Sequence, residues 1–247
     1  MQDSAIDIFS AWPGIPVILG QTAPVIVSPV TMVLIVAVAV VLSVPRVSWR
    51  WFGLFTTLVH ELGHAFSAAL TGRRVTAIHI RADQSGSAHS LGRPGFSAVF
   101  SGFFGYPAPA LVGLGLVWAV FNGFTSAALV IGGVVVILTI VFIRNLFGVL
   151  VVLGSAAVSF CLWYFGTREQ QGFALLALGV ALLVGSVRGL LTVISVHTSH
   201  RERLESSDAY LLARRSGVPS FLWLLGFAVV IFGSLWAAIS AWLASQP

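Results

Sequence analysis

Two histidines and a glutamate stand in the middle of a long apolar run, "LFTTLVHELGHAFSAALTG", residues 54–72. They are His60, Glu61 and His64, and they form the pattern His-Glu-x-x-His. Ionisable side chains are costly to remove from water, so within a membrane-spanning segment they are usually functional. On an α-helix, residues four apart are neighbours on one face, so the two imidazoles would point to the same place.

This pattern predicts a hydrolytic zinc centre. Two neutral imidazoles at this spacing can bind one Zn²⁺, and the glutamate beside the first histidine can reach a metal-bound water as general base. Zinc lowers the pKa of that water to about 7, which makes hydroxide available at neutral pH. The competing interpretation is a polar cluster that only holds helices together. Chance matches are rare within an apolar span, because each ionisable residue there is disfavoured by about 3 kcal/mol.

A catalytic zinc site needs a third protein ligand and keeps the fourth position for water. The leading candidate is Asp208, the only acidic residue of "SSDAYLLARR", which lies just before the last apolar segment. The alternative role for this carboxylate is to cap a helix N-terminus. The runner-up ligands are His197 and His200 in "HTSH", and the weaker candidates are Asp83 and His79.

The composition is that of an integral membrane protein. Of the 247 residues, 57% are hydrophobic and only 9% are charged, whereas soluble domains carry about 25% charged residues. All 13 basic residues are arginine and most lie between apolar segments, which indicates membrane topology and contact with the lipid bilayer. We therefore expect no nucleic-acid partner. The single cysteine, Cys161, excludes an intrachain disulfide and a cysteine-based metal site.

Seven apolar segments reach the roughly 17 residues that a membrane span requires. We expect an all-α polytopic membrane protein that forms a single domain over residues 1–247, with a short membrane-associated β-hairpin at 75–90. Turn and stop residues predict a short helix at 207–219, and residues 6–20 are expected at the membrane interface. The predicted spans are 23–44, 51–71, 97–120, 126–143, 146–165, 171–192 and 219–243. The fourth and fifth could instead be one long bent segment.

Arginine distribution predicts the orientation of the chain. With seven spans, nine arginines fall on one side of the membrane and three on the other. The arginine-rich side is normally cytoplasmic, so we expect a cytoplasmic N-terminus in a multi-pass protein of the cell's inner membrane. The lysine-free, arginine-rich composition agrees with a bacterial source.

The sequence resembles the site-2 protease family of intramembrane zinc metallopeptidases, in particular its compact bacterial branch without PDZ or CBS domains. The resemblance covers about residues 50–225 and implies that His60, His64 and Asp208 bind zinc and that Glu61 is the base. It also implies a transmembrane protein as the substrate. The stretches that carry it are "HELGHA", "SGFFGYPAPA" (101–110), "RNLFGVL" (144–150) and "SDAYLLARRSGVPSFLW" (207–223).

The chain departs from the family at the aspartate. Family members present Leu-Asp-Gly after an Asn/Pro-rich approach, whereas here serines precede Asp208 and Ala209 follows it. Asn145 is expected to satisfy backbone groups at a helix end. The departure motivates an alternative function, a catalytically inactive membrane protein of this fold that binds or escorts other membrane helices. A transporter is the least favoured function, because few polar residues are available to line several spans.

Two further features allow alternative roles. The edge of the hairpin could hold a locally unwound substrate by strand addition, or the hairpin could simply fill the cytoplasmic side of the helix bundle. Arg188, within "VGSVRGLL", could pair with Glu61 or a substrate carbonyl, or its guanidinium could reach the cytoplasmic interface.

Overall fold

In the computed structural model, which describes residues 20–246, the chain is mainly helical and carries one two-stranded antiparallel sheet. The strands, β1 (Arg74–Ile80) and β2 (Gly86–Leu91), lie between the second and third helices and confirm the predicted hairpin. The helices are α1 (Pro29–Ser43), α2 (Arg46–Leu70), α3 (Phe96–Phe103), α4 (Pro107–Phe121), α5 (Thr125–Leu138), α6 (Leu146–Phe165), α7 (Arg168–Thr198), α8 (Asp208–Ser216) and α9 (Ser220–Ala244). The predicted interfacial segment 6–20 lies, except for Gly20, outside the described residues.

The described residues contain three to five candidate membrane spans. Helices α6, α7 and α9 are each long and apolar enough to cross a bilayer. The pairs α1–α2 and α3–α4 bend by 90° and 60°, and each pair adds one span if it is a single broken span. Pro45 lies at the first bend and Pro107 begins α4 after the second, and a proline lacks the N–H that would continue a helix. The predicted count of seven spans is therefore not confirmed.

Helix α7, at 31 residues, is the central element of the bundle. It begins with a capping box in which Thr167 and Gln170 each accept a hydrogen bond from the other's backbone N–H. The helix packs against α1, α4, α5 and α9, and fully buried leucines such as Leu176 and Leu182 fill these contacts. Helices α5 and α6 form a hairpin along one side of this bundle, so they are not one long segment.

The β-hairpin lies alongside α2 and extends back along the helix from its C-terminus. Its open end follows the C-terminus of α2, and its tip reaches back to the first turns of that helix. At the tip, the Gln84 side-chain amide donates a hydrogen bond to the Trp49 carbonyl at 3.1 Å. The Thr57 hydroxyl donates to the Gln84 carbonyl at 3.0 Å. These two bonds fix the hairpin against the face of α2 that carries the ionisable residues.

The two edges of the hairpin differ. Strand β1 is covered on its outer edge, where Ile78 exchanges backbone hydrogen bonds with Phe142 and Arg144. The Asn145 side chain continues this pairing, because its amide accepts a hydrogen bond from the Ile80 N–H and donates one to the Ile80 carbonyl. No backbone segment among residues 20–246 pairs with the outer edge of β2. That edge faces the polar cavity described below.

Candidate metal centre

Helix α2 carries a polar stripe through its middle. Thr57, His60, Glu61 and His64 are spaced at three and four residues, so they share one face of the helix. The Nε2 atoms of the two histidines lie 3.2 Å apart, and their rings meet edge to face. The helix therefore presents both imidazoles to one point, as their spacing predicts.

Asp208 completes a cluster with these histidines. Its Oδ2 atom lies 3.2 Å from Nε2 of His60 and 3.2 Å from Nε2 of His64. The N-cap position of α8 belongs to Ser207, and Asp208 is the first residue of the helix. The carboxylate is turned toward the histidines, so capping is not its role here.

The three side chains fit a zinc ion in both chemistry and spacing. They are the group among residues 20–246 whose ligand atoms lie close enough together to hold a metal ion. Two imidazole nitrogens and one carboxylate oxygen are a donor set found in catalytic zinc sites. Tetrahedral zinc with bonds of about 2.0–2.1 Å places its ligand atoms about 3.3 Å apart. The observed ligand atoms form a triangle with sides of 3.2 Å, which matches that spacing.

The orientation of His64 is fixed from behind by helix α3. Its Nδ1 atom lies 2.8 Å from the carbonyl oxygen of Ser101, which belongs to the last turn of α3. The last carbonyls of a helix have no partner within it, and a carbonyl can only accept. Nδ1 therefore carries a proton, and with a metal ion bound the lone pair of Nε2 would point into the cluster. Metal-binding histidines commonly have such a second hydrogen bond.

Two residues of the α3–α4 bend shape the cluster. Gly105 lies so close to the imidazoles that a Cβ atom at this position would collide with both His60 and His64. Tyr106 packs edge to face on the His60 ring, with ring centroids 4.9 Å apart, and stacks on Phe227 of α9. The bend therefore supplies the space for the cluster and a support for His60.

Glu61 is buried beside the cluster, with 4% of its surface exposed. The first residue of β2, Gly86, lies directly against its carboxyl group, and a Cβ atom there would collide with it. The hairpin thus covers the glutamate and excludes bulk water from this side. A carboxylate next to the histidines in a partly enclosed site is suited to proton transfer.

A polar cavity of about 660 Å³ connects these groups. Its wall contains His60, Glu61, His64 and Asp208, residues 86–90 of β2, and three arginines, one from the loop before β1, one from α7 and one from α8. A volume in this range is typical of small-molecule and peptide sites. The cluster therefore lies in the wall of this cavity, beside β2.

A comparison with protein families identifies the family of this chain. A family model described as Peptidase M50B-like matches residues 32–238. The chain belongs to the site-2 protease family. Membership of this family indicates a metallopeptidase in a membrane. Searches of curated proteins and of solved structures gave no match.

The other residues predicted as possible zinc ligands lie outside the cluster of His60, His64 and Asp208. His197 lies 2.9 Å from the Ser207 hydroxyl, so it contacts the residue before Asp208 and not the cluster. His200 pairs with Glu202 on the surface, at 3.4 Å. His79 packs on the ring of His89 in the hairpin.

Asp83 belongs to the tip of the hairpin and not to the cluster. Its carboxylate accepts hydrogen bonds from the hydroxyl and the backbone N–H of Ser85, and these bonds lower the pKa of Asp83. It therefore stabilises the turn.

Arg188 has a role that the sequence did not suggest. Its guanidinium donates hydrogen bonds to the carbonyls of Ser43 and Val44, at the C-terminus of α1, and lies over the Trp49 ring at 4.4 Å. It forms no ion pair with Glu61. It satisfies the carbonyls that the α1–α2 bend leaves without helical partners.

Proposed function

We propose that this protein is an intramembrane zinc metalloprotease that hydrolyses a peptide bond in or near a transmembrane segment of a membrane-protein substrate. The observation that carries the proposal is the 3.2 Å triangle of His60, His64 and Asp208 beside the buried carboxylate of Glu61. Family membership supports the same chemistry.

Each residue at the site has a distinct proposed role. His60, His64 and Asp208 would hold zinc, which when bound supplies Lewis-acid activation of water and of the scissile carbonyl. Glu61 accepts the proton of the attacking water and delivers it to the leaving amide nitrogen. Ser101, through His64, keeps the imidazole in the tautomer that has its lone pair on Nε2.

The outer edge of β2 is the proposed binding site for the substrate backbone. A transmembrane helix pairs its amides internally, so it must unwind locally before a protease can reach one of its peptide bonds. An exposed strand edge offers N–H and C=O groups to such a segment. The edge lies in the cavity wall and begins at Gly86, against Glu61, so a strand added there passes the base. The alternative is that the hairpin only fills the bundle.

We further propose that the protein lies in the inner membrane of a bacterium with its N-terminus in the cytoplasm. With the seven predicted spans, the excess of arginine in the loops next to the cavity supports this orientation. Cleavage would then occur near the cytoplasmic leaflet.

A second function is supported by one observation, the altered aspartate motif. Ala209 follows Asp208 and is fully buried, at a position where better-studied family members carry glycine. A protein that keeps the fold and binds or escorts membrane helices without cutting them would tolerate this change. It would not need Glu61.

The substitution Glu61→Gln separates the two functions. New N-termini in membranes that contain the wild-type protein, compared with membranes that contain Glu61→Gln, would identify the substrate. The purified pair would then be compared on that substrate, with zinc content as the control. The protease predicts loss of cleavage with zinc retained. Equal cleavage by Glu61→Gln would refute the assignment of the base, and no cleavage by either would favour the binding protein.

A further inference from the structure

The cavity wall is cationic outside the metal cluster. Three arginines line it, Arg73, Arg188 and Arg215, whereas its only carboxylates are Glu61 and Asp208. Every ion pair within residues 20–246 involves a histidine, so none of these arginines is paired with a carboxylate. A chain with only 9% charged residues has therefore placed three arginines around one cavity without neutralising them.

The three guanidiniums differ in what they contact. Arg188 is occupied by the carbonyls at the end of α1. Arg73 donates to the hydroxyl and carbonyl of Ser90 and to the carbonyl of Arg93. The guanidinium of Arg215 makes no hydrogen bond or ion pair with any other residue in the described part of the chain, and the residue is exposed at the cavity wall. Arg215 is thus the cation that remains available to a ligand.

The position of Arg215 relative to the cluster is set by helix α8. Asp208, Leu212 and Arg215 follow one another at four and three residues, so they share a face. Seven residues of helix span about 10.5 Å. A substrate strand along β2 advances about 3.3 Å per residue. Along the helix axis, Asp208 and Arg215 are therefore separated by the length of about three residues of extended chain.

We propose that Arg215 binds a carboxylate of the substrate. This inference rests on the proposed function and adds a substrate class: segments with Asp or Glu about three residues from the scissile bond. Arginine binds a carboxylate through two parallel hydrogen bonds, and the low dielectric near a membrane strengthens the attraction. A neutral residue at that position leaves Arg215 unpaired.

The test measures binding without turnover. The protein is the zinc-loaded Glu61→Gln full chain in lipid nanodiscs. The probes are fluorescein-labelled peptides that carry a leucine-alanine span and a short polar segment, in which a single Asp is moved through the segment and compared with Asn. We expect about tenfold tighter binding for Asp at one position, because hydrogen bonds to charged groups are worth about that factor.

A matched pair of variants assigns the effect to Arg215. Arg214 is the neighbouring arginine, but it lies over the Tyr210 ring and does not line the cavity. Adding Arg215→Gln should remove the preference for Asp, and Arg214→Gln should keep it. Arg215→Glu should reverse the preference in favour of a peptide with arginine at the same position.

The outcomes separate this inference from the proposed function. Equal affinity for every Asp and Asn peptide, or an equal loss in Arg214→Gln, would overturn the carboxylate site. The site would also be overturned if affinity did not depend on the position of Asp and Arg215→Gln weakened peptide binding only in nanodiscs that contain phosphatidylglycerol. Arg215 would then contact a lipid phosphate. Arg215-dependent Asp binding, without cleavage of that peptide by wild type, would support the carboxylate site and contradict the protease.

Discussion

Oδ2 of Asp208 lies 3.2 Å from Nε2 of His64, although 144 residues separate the two in the chain. Helix α8 begins at the aspartate, and His197 at the end of α7 contacts the serine that precedes it. The contact between aspartate and histidine therefore depends on the packing of α2, α3, α7 and α8 together. The same contact converts a local His-Glu-x-x-His pattern into a three-residue centre.

A substitution at Gly105 tests whether the metal centre needs the space beside the two imidazoles. In Gly105→Ala, the new methyl group would collide with both imidazoles and push them apart. Outer-sphere changes of this kind cost about 10–100-fold in metal affinity, so we expect about tenfold weaker zinc binding at a nearly unchanged melting temperature. The matched control is Gly115→Ala in α4, where a Cβ atom has no neighbour within 4 Å. Equal zinc affinity in both variants would contradict the geometry of the bend.

Substitutions at Tyr106 test whether its ring holds the His60 imidazole in position. Its ring packs on the imidazole and on Phe227, so Tyr106→Phe preserves both contacts and Tyr106→Ala removes them. We expect zinc affinity to be kept in the phenylalanine variant and reduced several-fold in the alanine variant. Competition with a chromogenic zinc chelator measures both. If the two variants behave alike, the ring does not position His60.

Gln84 tests whether the position of the hairpin matters for the substrate. Gln84→Ala removes the hydrogen bond from its side-chain amide to the Trp49 carbonyl at the start of α2. If β2 holds the substrate, the variant should raise KM several-fold and leave zinc content unchanged. Asp83→Asn, one residue earlier in the same turn, serves as the control because its carboxylate contacts only Ser85. An unchanged KM in Gln84→Ala would favour a hairpin that merely fills the bundle.

The elements that depend on local patterns were predictable from the sequence. The spacing of His60, Glu61 and His64 places them on one helical face, and turn residues mark the hairpin. Helix α8 ends at Ser216, and the next residue, Gly217, has a φ of 76°, which lies in the left-handed region that favours glycine. The sequence indicates Asp208 as a candidate because acidic residues are scarce, and the resemblance to a family contributed to ranking a ligand role above the capping role.

The parts that sequence reasoning missed depend on contacts between helices. Ser101, Gly105 and Tyr106 act across the α2–α3 and α2–α4 contacts, and helical periodicity carries no information about which neighbour faces which residue. The visible signal was the stretch "SGFFGYPAPA", whose glycines and prolines indicate a break. Hydropathy likewise detects apolar length but not direction, so it predicts separate spans on the two sides of the 90° bend before α2 and does not reveal the bend itself.

Zinc content tests the central claim most directly. The measurement is elemental analysis of the purified, metal-replete chain for wild type, Asp208→Ala and the control Asp83→Ala. A centre built from His60, His64 and Asp208 predicts about one zinc ion per chain in wild type and in Asp83→Ala, and little in Asp208→Ala. Zinc retained in Asp208→Ala would place the third ligand elsewhere, and no zinc in wild type would contradict the metal centre itself.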